Sequence, residues 1–170
     1  VLLPDLVPYA ASRLASWQDP FADPLGEGHQ TIQSLYAIAS GGLVGLGLGN
    51  SRQKYLYVPE PQNDFIFSIL CEELGFAGAA LVILLFLALF LRGMSIAVRA
   101  RDKFGALLVV GFVTQVILQA VLNIAVVTNT IPNTGISLPF FSYGGTALLM
   151  LLGEMGILLN ISRSSNIEKT

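Results

Sequence analysis

Three long stretches of apolar residues carry almost no ionisable side chains, and they set the organisation of the chain. Residues 74–91 are uncharged over eighteen positions, and a helix of that length rises about 27 Å. Residues 104–127 are also uncharged, and residues 143–161 carry Glu154 as their single charge. Because the hydrocarbon core of a bilayer is about 30 Å thick, each stretch predicts a transmembrane helix.

Polar side chains inside these spans follow a helical spacing. Gln115, Gln119 and Asn123 succeed one another every four residues, which places three amides along one face of the second span. Glu154 lies near the middle of the third span, where an unpaired charge is costly. We therefore expect this amide face to meet protein rather than lipid, and Glu154 to face the three amides in a structural hydrogen-bonding role.

Basic residues are densest in the linker at residues 92–103, where four cations accompany a single acid. Cytoplasmic loops of membrane proteins carry such an excess of positive charge. Alternation of the spans then places residues 1–73 and 128–142 outside the cytoplasm and the tail at residues 162–170 inside it. Residues 1–73 hold eight acids and three bases, which agrees with an external location.

The pattern predicts an all-α, polytopic membrane protein with three transmembrane helices and a large extracytoplasmic loop that contains short helices. Residues 29–40 of that loop indicate an interfacial helix whose largely apolar face is formed by Ile32, Leu35, Tyr36 and Ile38. Residues 41–49 are apolar and glycine-rich, which favours backbone packed against membrane helices or a re-entrant turn. Since the chain opens without an initiator Met or a signal-peptide pattern, we expect a C-terminal portion of a longer chain.

The composition of the chain excludes several classes of protein and several kinds of functional site. Hydrophobic residues make up 54% of the chain and charged residues 12%, which excludes an ordinary soluble domain and a disordered chain. A net charge of −2 provides no basic field for nucleic acid. Cys71 and His29 are each alone in their type, so an intrachain disulfide and a histidine-rich metal site are excluded. Any catalysis must therefore use carboxylates or hydroxyls.

Ionisable and polar side chains are concentrated at residues 50–67, where two cations, Arg52 and Lys54, precede Asp64. One interpretation is structural: Asp64 caps the helix that begins with Phe65 and stabilises it by about 1 kcal/mol. The other is chemical: a carboxylate beside apolar residues and within reach of two cations has a tuned proton affinity and can act as a general base. The spacing alone leaves both interpretations open.

Six ordered motifs run from the glycine-rich stretch to the end of the third span. They are Ala-Ser-Gly-Gly-Leu at 39–43, Gly-x-Gly-Leu-Gly-Asn-Ser-Arg-Gln-Lys at 45–54, Pro-Glu-x-x-x-Asp-Phe-Ile-Phe at 59–67, Glu-Glu-Leu-Gly-Phe at 72–76, Pro-Asn-Thr-Gly-Ile-Ser-Leu-Pro-Phe-Phe-Ser-Tyr-Gly-Gly at 132–145 and Leu-Leu-Asn-Ile-Ser-Arg at 158–163. Together they resemble the SEDS family, which includes FtsW, RodA and SpoVE, over essentially the whole chain. The run at residues 50–54 is more similar to FtsW or SpoVE than to RodA.

The resemblance implies a peptidoglycan glycosyltransferase that polymerises lipid II, an undecaprenyl-diphosphate-linked disaccharide peptide, at the outer face of the bacterial cytoplasmic membrane. It matches Asp64 to the essential catalytic aspartate of the family, the general base of an inverting transfer that makes β-1,4 glycan strands. Arg52 and Lys54 are candidates to stabilise the departing diphosphate. Further candidate substrate-binding residues are Glu60, Ser142, Tyr143, Gly144 and Gly145.

The resemblance also implies partners: lipid II, a single-pass class B penicillin-binding protein that crosslinks the new glycan, and other membrane proteins of the divisome or elongasome. We expect no metal site and no resident cofactor, while a requirement for a divalent cation stays open. The alternative functions are a lipid II flippase or transporter that uses Glu154 and the amide face, and a non-catalytic division scaffold. A carrier concentrates polar groups at mid-membrane, whereas this chain places cations and acids in the external loop, which favours the glycosyltransferase.

Overall fold

The computed structural model describes residues 13–24, 26, 28–51 and 64–165, and this part of the chain is helical without strands. A helical stretch at residues 13–18 and a 3₁₀ turn at Pro20–Ala22 come first. The longer helices that follow are α1 (His29–Gly41), α2 (Ile66–Val98), α3 (Lys103–Val127) and α4 (Gly145–Ser165). Among them, α2, α3 and α4 are long and apolar enough to cross a membrane. The predicted all-α architecture with three transmembrane helices is confirmed.

The helices extend beyond the uncharged stretches from which they were predicted. α3 begins one residue before the predicted range of 104–127, and α4 is shifted toward the C-terminus relative to 143–161. α2 exceeds the predicted range of 74–91 by about two turns at each end. An uncharged stretch marks the part of a helix that suits hydrocarbon, whereas backbone hydrogen bonds continue the helix past the first charged residue.

α2 is interrupted at Gly75, where φ is 67° and ψ is −167°. The interruption frees backbone groups on both sides, and the segment at residues 42–49, the glycine-rich loop, bonds to them. Its Leu46 and Gly47 amides donate to the carbonyls of Glu72 and Glu73 at 3.0 and 2.9 Å, and its Gly42 and Leu43 carbonyls accept from Phe76 and Ala77 at 2.9 and 3.2 Å. A Cβ at position 75 would overlap the backbone of this loop, so the junction requires glycine.

α1 packs across α2 and the end of α3 through small and polar side chains. Its buried residues are Thr31, Ile32, Ser34, Ala37 and Gly41. Ser34 Oγ donates to the carbonyl of Val127 at 2.9 Å, and a Cβ at Gly41 would overlap the carbonyl of Cys71. The predicted helix is confirmed, and of the residues on its predicted apolar face Ile32 is buried whereas Tyr36 is 51% exposed. Close approach of the helices selects small side chains at this contact.

α2 and α3 form the main helix pair, and α4 joins them. One cluster of buried side chains lies toward the α3–α4 loop and contains Val82, Phe86, Val116, Ala120, Leu138 and Leu151. A second lies toward the linker between α2 and α3 and contains Ile96, Ala97, Val109, Val113 and Leu158. The opposite side of α2 exposes large apolar residues, including Leu81, Leu84 and Leu85. This division is typical of a helix that faces protein on one side and lipid on the other.

Candidate functional site

Asp64 lies just before α2, at the start of the described residues that lead into this helix. The N-cap position is Phe65, which makes no side-chain cap hydrogen bond, and its carbonyl accepts the Oγ–H of Ser68 at 2.7 Å. The helix therefore begins one residue later than the capping interpretation of Asp64 requires, and that interpretation is wrong. The Asp64 side chain is half-buried, and Phe65 and Phe67 beside it are each 3% exposed.

Asn123 fixes the backbone at Asp64. It lies on α3, its side chain is fully buried, and Nδ2 donates to the carbonyls of Asp64 and Ile136, each at 2.7 Å. Ile136 belongs to the segment at residues 128–144, the α3–α4 loop. One buried amide thus joins the entry of α2 to the α3–α4 loop, and it sets the position of Asp64 relative to that loop.

The Asp64 carboxylate faces a turn in the α3–α4 loop. Gly135 N–H donates to Asn133 Oδ1 at 3.1 Å, which makes an Asx-type turn, and Gly135 has a φ of 68°. A Cβ on Gly135 would lie 3.5 Å from Asp64 Oδ2, so the carboxylate lies against the backbone of the turn. Thr134 and Gly135 are exposed. A half-buried carboxylate beside an exposed turn is placed to exchange a proton with a bound molecule.

Ser142 closes the other end of the α3–α4 loop. Its Oγ accepts the N–H of Leu138 at 2.7 Å, and its own N–H donates to the carbonyl of Leu138 at 3.0 Å. Leu138 is 1% exposed, so this turn is anchored in the core. Tyr143 beside it is 80% exposed, and Gly145 begins α4. The side chains of this predicted substrate-binding motif therefore differ in role: Ser142 builds the loop, whereas Tyr143 is available for contacts.

A cavity of about 310 Å³ lies between α3, the α3–α4 loop and α4. Its lining includes these residues that the sequence singled out: Gln115, Gln119, Ser142, Tyr143, Gly144 and Glu154. Asn123 is absent from the lining and is buried beside Asp64 instead. The expectation that all three amides face Glu154 is therefore wrong for Asn123, because its position one turn further along α3 reaches the entry of α2. Glu154 Oε2 is buried without a hydrogen-bond partner among the described residues, so the expected hydrogen bonding to the amides is not formed at this oxygen.

A contact between the first described residues and the α3–α4 loop was missed by sequence reasoning. Arg13 Nη1 donates to the carbonyl of Asn133 at 2.8 Å, and Trp17 Nε1 donates to the carbonyl of Asn129 at 3.1 Å. Arg13 thus brings a cation to the turn that Asp64 faces. The partners are 120 and 112 residues apart in the chain, and no local pattern signals the contact.

Arg52, Lys54 and Glu60 lie outside the described residues, so their proximity to Asp64 stays a prediction. The residue that precedes them is described: Ser51 is 2% exposed and donates its Oγ–H to Glu72, itself 1% exposed on α2. In the described part of the chain, no group of three or more His, Cys, Asp or Glu side chains is arranged to hold a metal ion.

Comparison with known proteins gives consistent matches. The profile of the FtsW/RodA/SpoVE family, described as cell cycle proteins, matches residues 1–167. Stage V sporulation protein E of Bacillus subtilis (strain 168) is 54% identical over 158 residues, which are 93% of this chain and 43% of that protein. The probable peptidoglycan glycosyltransferase FtsW of the same organism is 48% identical over 151 residues, which are 89% of this chain and 38% of that protein.

A solved structure gives the same result at the level of the fold. The structure is described as "Structural coordination of polymerization and crosslinking by a peptidoglycan synthase complex". The match has a TM-score of 0.73 at 33% identity and covers 99% of this chain and 46% of that chain. The chain spans about two fifths of the length of the two Bacillus relatives. With its three membrane-spanning helices and a family match over almost its entire length, the chain belongs to the FtsW/RodA/SpoVE family of multi-pass proteins of the cytoplasmic membrane.

Proposed function

We propose that the intact protein is a peptidoglycan glycosyltransferase that polymerises lipid II at the outer face of the cytoplasmic membrane. The observation that carries this proposal is the placement of Asp64, whose half-buried carboxylate lies against the Gly135 turn on backbone held by Asn123. Relatives named as probable peptidoglycan glycosyltransferases, in Bacillus subtilis and in Synechocystis, support the reaction class.

Asp64 acts as the general base of a single displacement. Its carboxylate accepts the proton of the acceptor sugar's 4-hydroxyl while that oxygen attacks the anomeric carbon of the donor. The bond between this carbon and the undecaprenyl diphosphate oxygen breaks, and the diphosphate leaves with the bonding electron pair. The configuration at the anomeric carbon inverts, a β-1,4 bond forms, and Asp64 then releases its proton to solvent.

Cations near the leaving group lower the barrier, because negative charge develops on the diphosphate as the bond breaks. Arg52 and Lys54 precede Asp64 in the sequence and are the first candidates for this role. Arg13 is a third candidate, since its guanidinium bonds to the backbone of the turn that faces Asp64. We propose that at least one of these cations contacts the diphosphate.

Transport of lipid II is the second candidate function, and the cavity lined by Gln115, Gln119 and Glu154 is the observation in its favour. Its volume of about 310 Å³ is at the lower end of pockets for small molecules, which hold ~300–1,000 Å³. A disaccharide with a peptide is larger than this cavity. The geometry therefore favours glycosyl transfer at Asp64 over transport through the α3–α4 cavity.

The comparison with a solved structure also supports a crosslinking partner. The solved structure that matches the chain is described as coordinating polymerization with crosslinking in a peptidoglycan synthase complex. We propose that this protein likewise works with a crosslinking enzyme, a class B penicillin-binding protein, and within the larger membrane assembly of division or elongation.

The test is polymerisation of purified lipid II by the full-length protein and its Asp64→Asn variant. Asparagine keeps the size of the side chain but does not serve as a base at neutral pH, so we expect the rate to fall by roughly 10²–10⁴-fold with unchanged expression. Asp102→Asn is the matched control: Asp102 Oδ2 accepts the N–H of Gly105 at 2.8 Å as the cap of α3, and asparagine caps equally well.

The two variants separate the candidate functions. Loss of polymerisation in Asp64→Asn together with normal activity in Asp102→Asn supports the base. Full activity in Asp64→Asn refutes it. A wild-type protein that moves lipid II across vesicle membranes without polymerising it would favour the transporter instead.

A further inference from the structure

The glycine-rich loop carries an apolar surface that α2 does not cover. Leu43, Val44 and Leu48 are 75%, 83% and 77% exposed, and Phe76 beside them on α2 is 69% exposed. This surface continues into the exposed apolar side of α2, which includes Leu81. A continuous surface of this kind is expected to contact either lipid or protein.

The position of the loop along α2 places it at membrane depth. Arg92 is the first charged residue after Phe76 and is exposed, so it lies near one edge of the hydrocarbon core. Phe76 and Arg92 are sixteen positions apart, which corresponds to a helical rise of about 24 Å, less than the ~30 Å hydrocarbon thickness. Snorkelling of Arg92 moves Phe76 toward the membrane edge by up to a side-chain length, whereas helix tilt moves Phe76 deeper.

Backbone amides and carbonyls of the loop have hydrogen-bond partners within the protein, as a location at this depth requires. The loop's hydrogen bonds to residues on both sides of the Gly75 interruption satisfy amides and carbonyls that face α2. At the two ends of the loop, Gly45 N–H donates to the carbonyl of Gly41, the last residue of α1, at 2.8 Å, and Asn50 Nδ2 donates to the carbonyl of Leu46 at 3.2 Å. Irregular backbone at membrane depth requires such internal partners, because hydrocarbon offers none.

We propose that the glycine-rich loop is a re-entrant segment inserted into the membrane beside α2, with Leu43, Val44 and Leu48 in contact with lipid acyl chains. The occupant of the surface is bilayer lipid because the surface continues the apolar side of α2 at a depth below the membrane edge. The interruption of α2 at Gly75 then allows the loop to dock, because it leaves backbone amides and carbonyls of α2 that hydrogen-bond to the loop. This inference does not depend on the catalytic assignment of Asp64.

The test measures where a spin label on the loop resides. A nitroxide is attached to Val44→Cys in full-length protein in lipid vesicles, with Cys71 and any other native cysteine replaced. Collision with oxygen reports lipid, and collision with a water-soluble nickel chelate reports solvent. Leu84→Cys on the exposed side of α2 is the lipid reference, and Asp23→Cys, at an exposed residue outside the helices, is the water reference.

We expect the ratio of oxygen collisions to nickel-chelate collisions for the label at Val44 to equal the ratio measured for the Leu84 reference. A ratio at the Asp23 reference would place the loop in water and overturn the proposal. Low collision with both probes would overturn it as well, because the surface would then be covered by protein.

Two glycine variants provide a second measurement on the same label. Gly45 and Gly49 have almost the same backbone conformation, with φ of 82° and 81°, but a Cβ at Gly45 overlaps the backbone of Glu73 and Gly75 whereas one at Gly49 meets nothing within 4 Å. Gly45→Ala should therefore detach the loop and shift the Val44 label toward the Asp23 reference. Gly49→Ala carries the same backbone strain and should leave the label in lipid; an equal shift in both would contradict docking at Gly75.

Discussion

Asn123 connects the two segments that meet at the Asp64 carboxylate. Its side chain is fully buried, and its two Nδ2–H groups are shared between the carbonyls of Asp64 and Ile136. A buried carbonyl without a donor costs about 1–3 kcal/mol, so each of these bonds matters for stability. Each also matters for geometry, since together they fix the position of Asp64 relative to the α3–α4 loop that carries Gly135.

Asn123→Leu is expected to lower both stability and polymerase activity. Leucine has a similar size but cannot donate, so both carbonyls lose this donor and the bridge that Asn123 makes between Asp64 and the α3–α4 loop is broken. Thermal melting and lipid II polymerisation of the full-length protein measure the two effects. Thr114→Val, at an exposed position on α3, is the control and should change neither. Wild-type activity in Asn123→Leu would show that this bridge does not position the base.

At the scale of elements, the α2–α3 pair depends on close packing because apolar helices gain nothing from hiding apolar surface from lipid. Gly93 on α2 meets Val113 on α3, and a Cβ at Gly93 would overlap Val113 Cγ2. Val113 is fully buried, so it has little room to move away. The glycine therefore sets how closely the two helices approach.

Gly93→Ala is expected to destabilise the protein by about 1–3 kcal/mol, the usual cost of overpacking a close contact. Gly111→Ala on α3 is the matched variant, because a Cβ there meets nothing within 4 Å. It should leave stability unchanged or raise it by up to about 1 kcal/mol, since alanine favours helix over glycine. Thermal melting in one detergent compares them, and equal melting temperatures would contradict the packing argument.

For the whole molecule, the distribution of charge predicts the side of the membrane on which the site lies. Residues 92–103, around the junction of α2 and α3, carry four cations and one acid, whereas Asp64 and the α3–α4 loop lie at the opposite ends of these helices. A cytoplasmic linker therefore requires an external site. External placement is also what a polymerase of lipid-linked precursors needs.

Cysteine labelling in intact cells tests this orientation. In a background in which Cys71 is replaced by Ala, a cysteine at the exposed Thr130 should react with a membrane-impermeant thiol reagent. A cysteine at Ala100 in the linker should react only after the membrane is opened. The reverse pattern would place Asp64 in the cytoplasm and remove the proposed polymerase function with it.

The sequence by itself determined the three spans and the all-α class, and it singled out Asp64 as the candidate base. Membrane spans are readable because the transfer free energy of each residue adds along a continuous stretch, so local composition decides the outcome. Asp64 was identified because a motif of neighbouring residues carries the family resemblance. The same local view predicted the helix at residues 29–40, whereas the spacing around Asp64 left both a cap and a base open.

Only the tertiary structure decided what surrounds Asp64 and how the glycine-rich loop is held. Asn123 reaches Asp64 across 59 residues, and Arg13 reaches Asn133 across 120. Such contacts depend on the relative positions of helices, which no periodicity within one helix encodes. The loop is decided in the same way, because its backbone bonds to α2 exist only where Gly75 interrupts the helix. Local patterns specify which segments enter the membrane, and the packing of those segments specifies which polar groups meet.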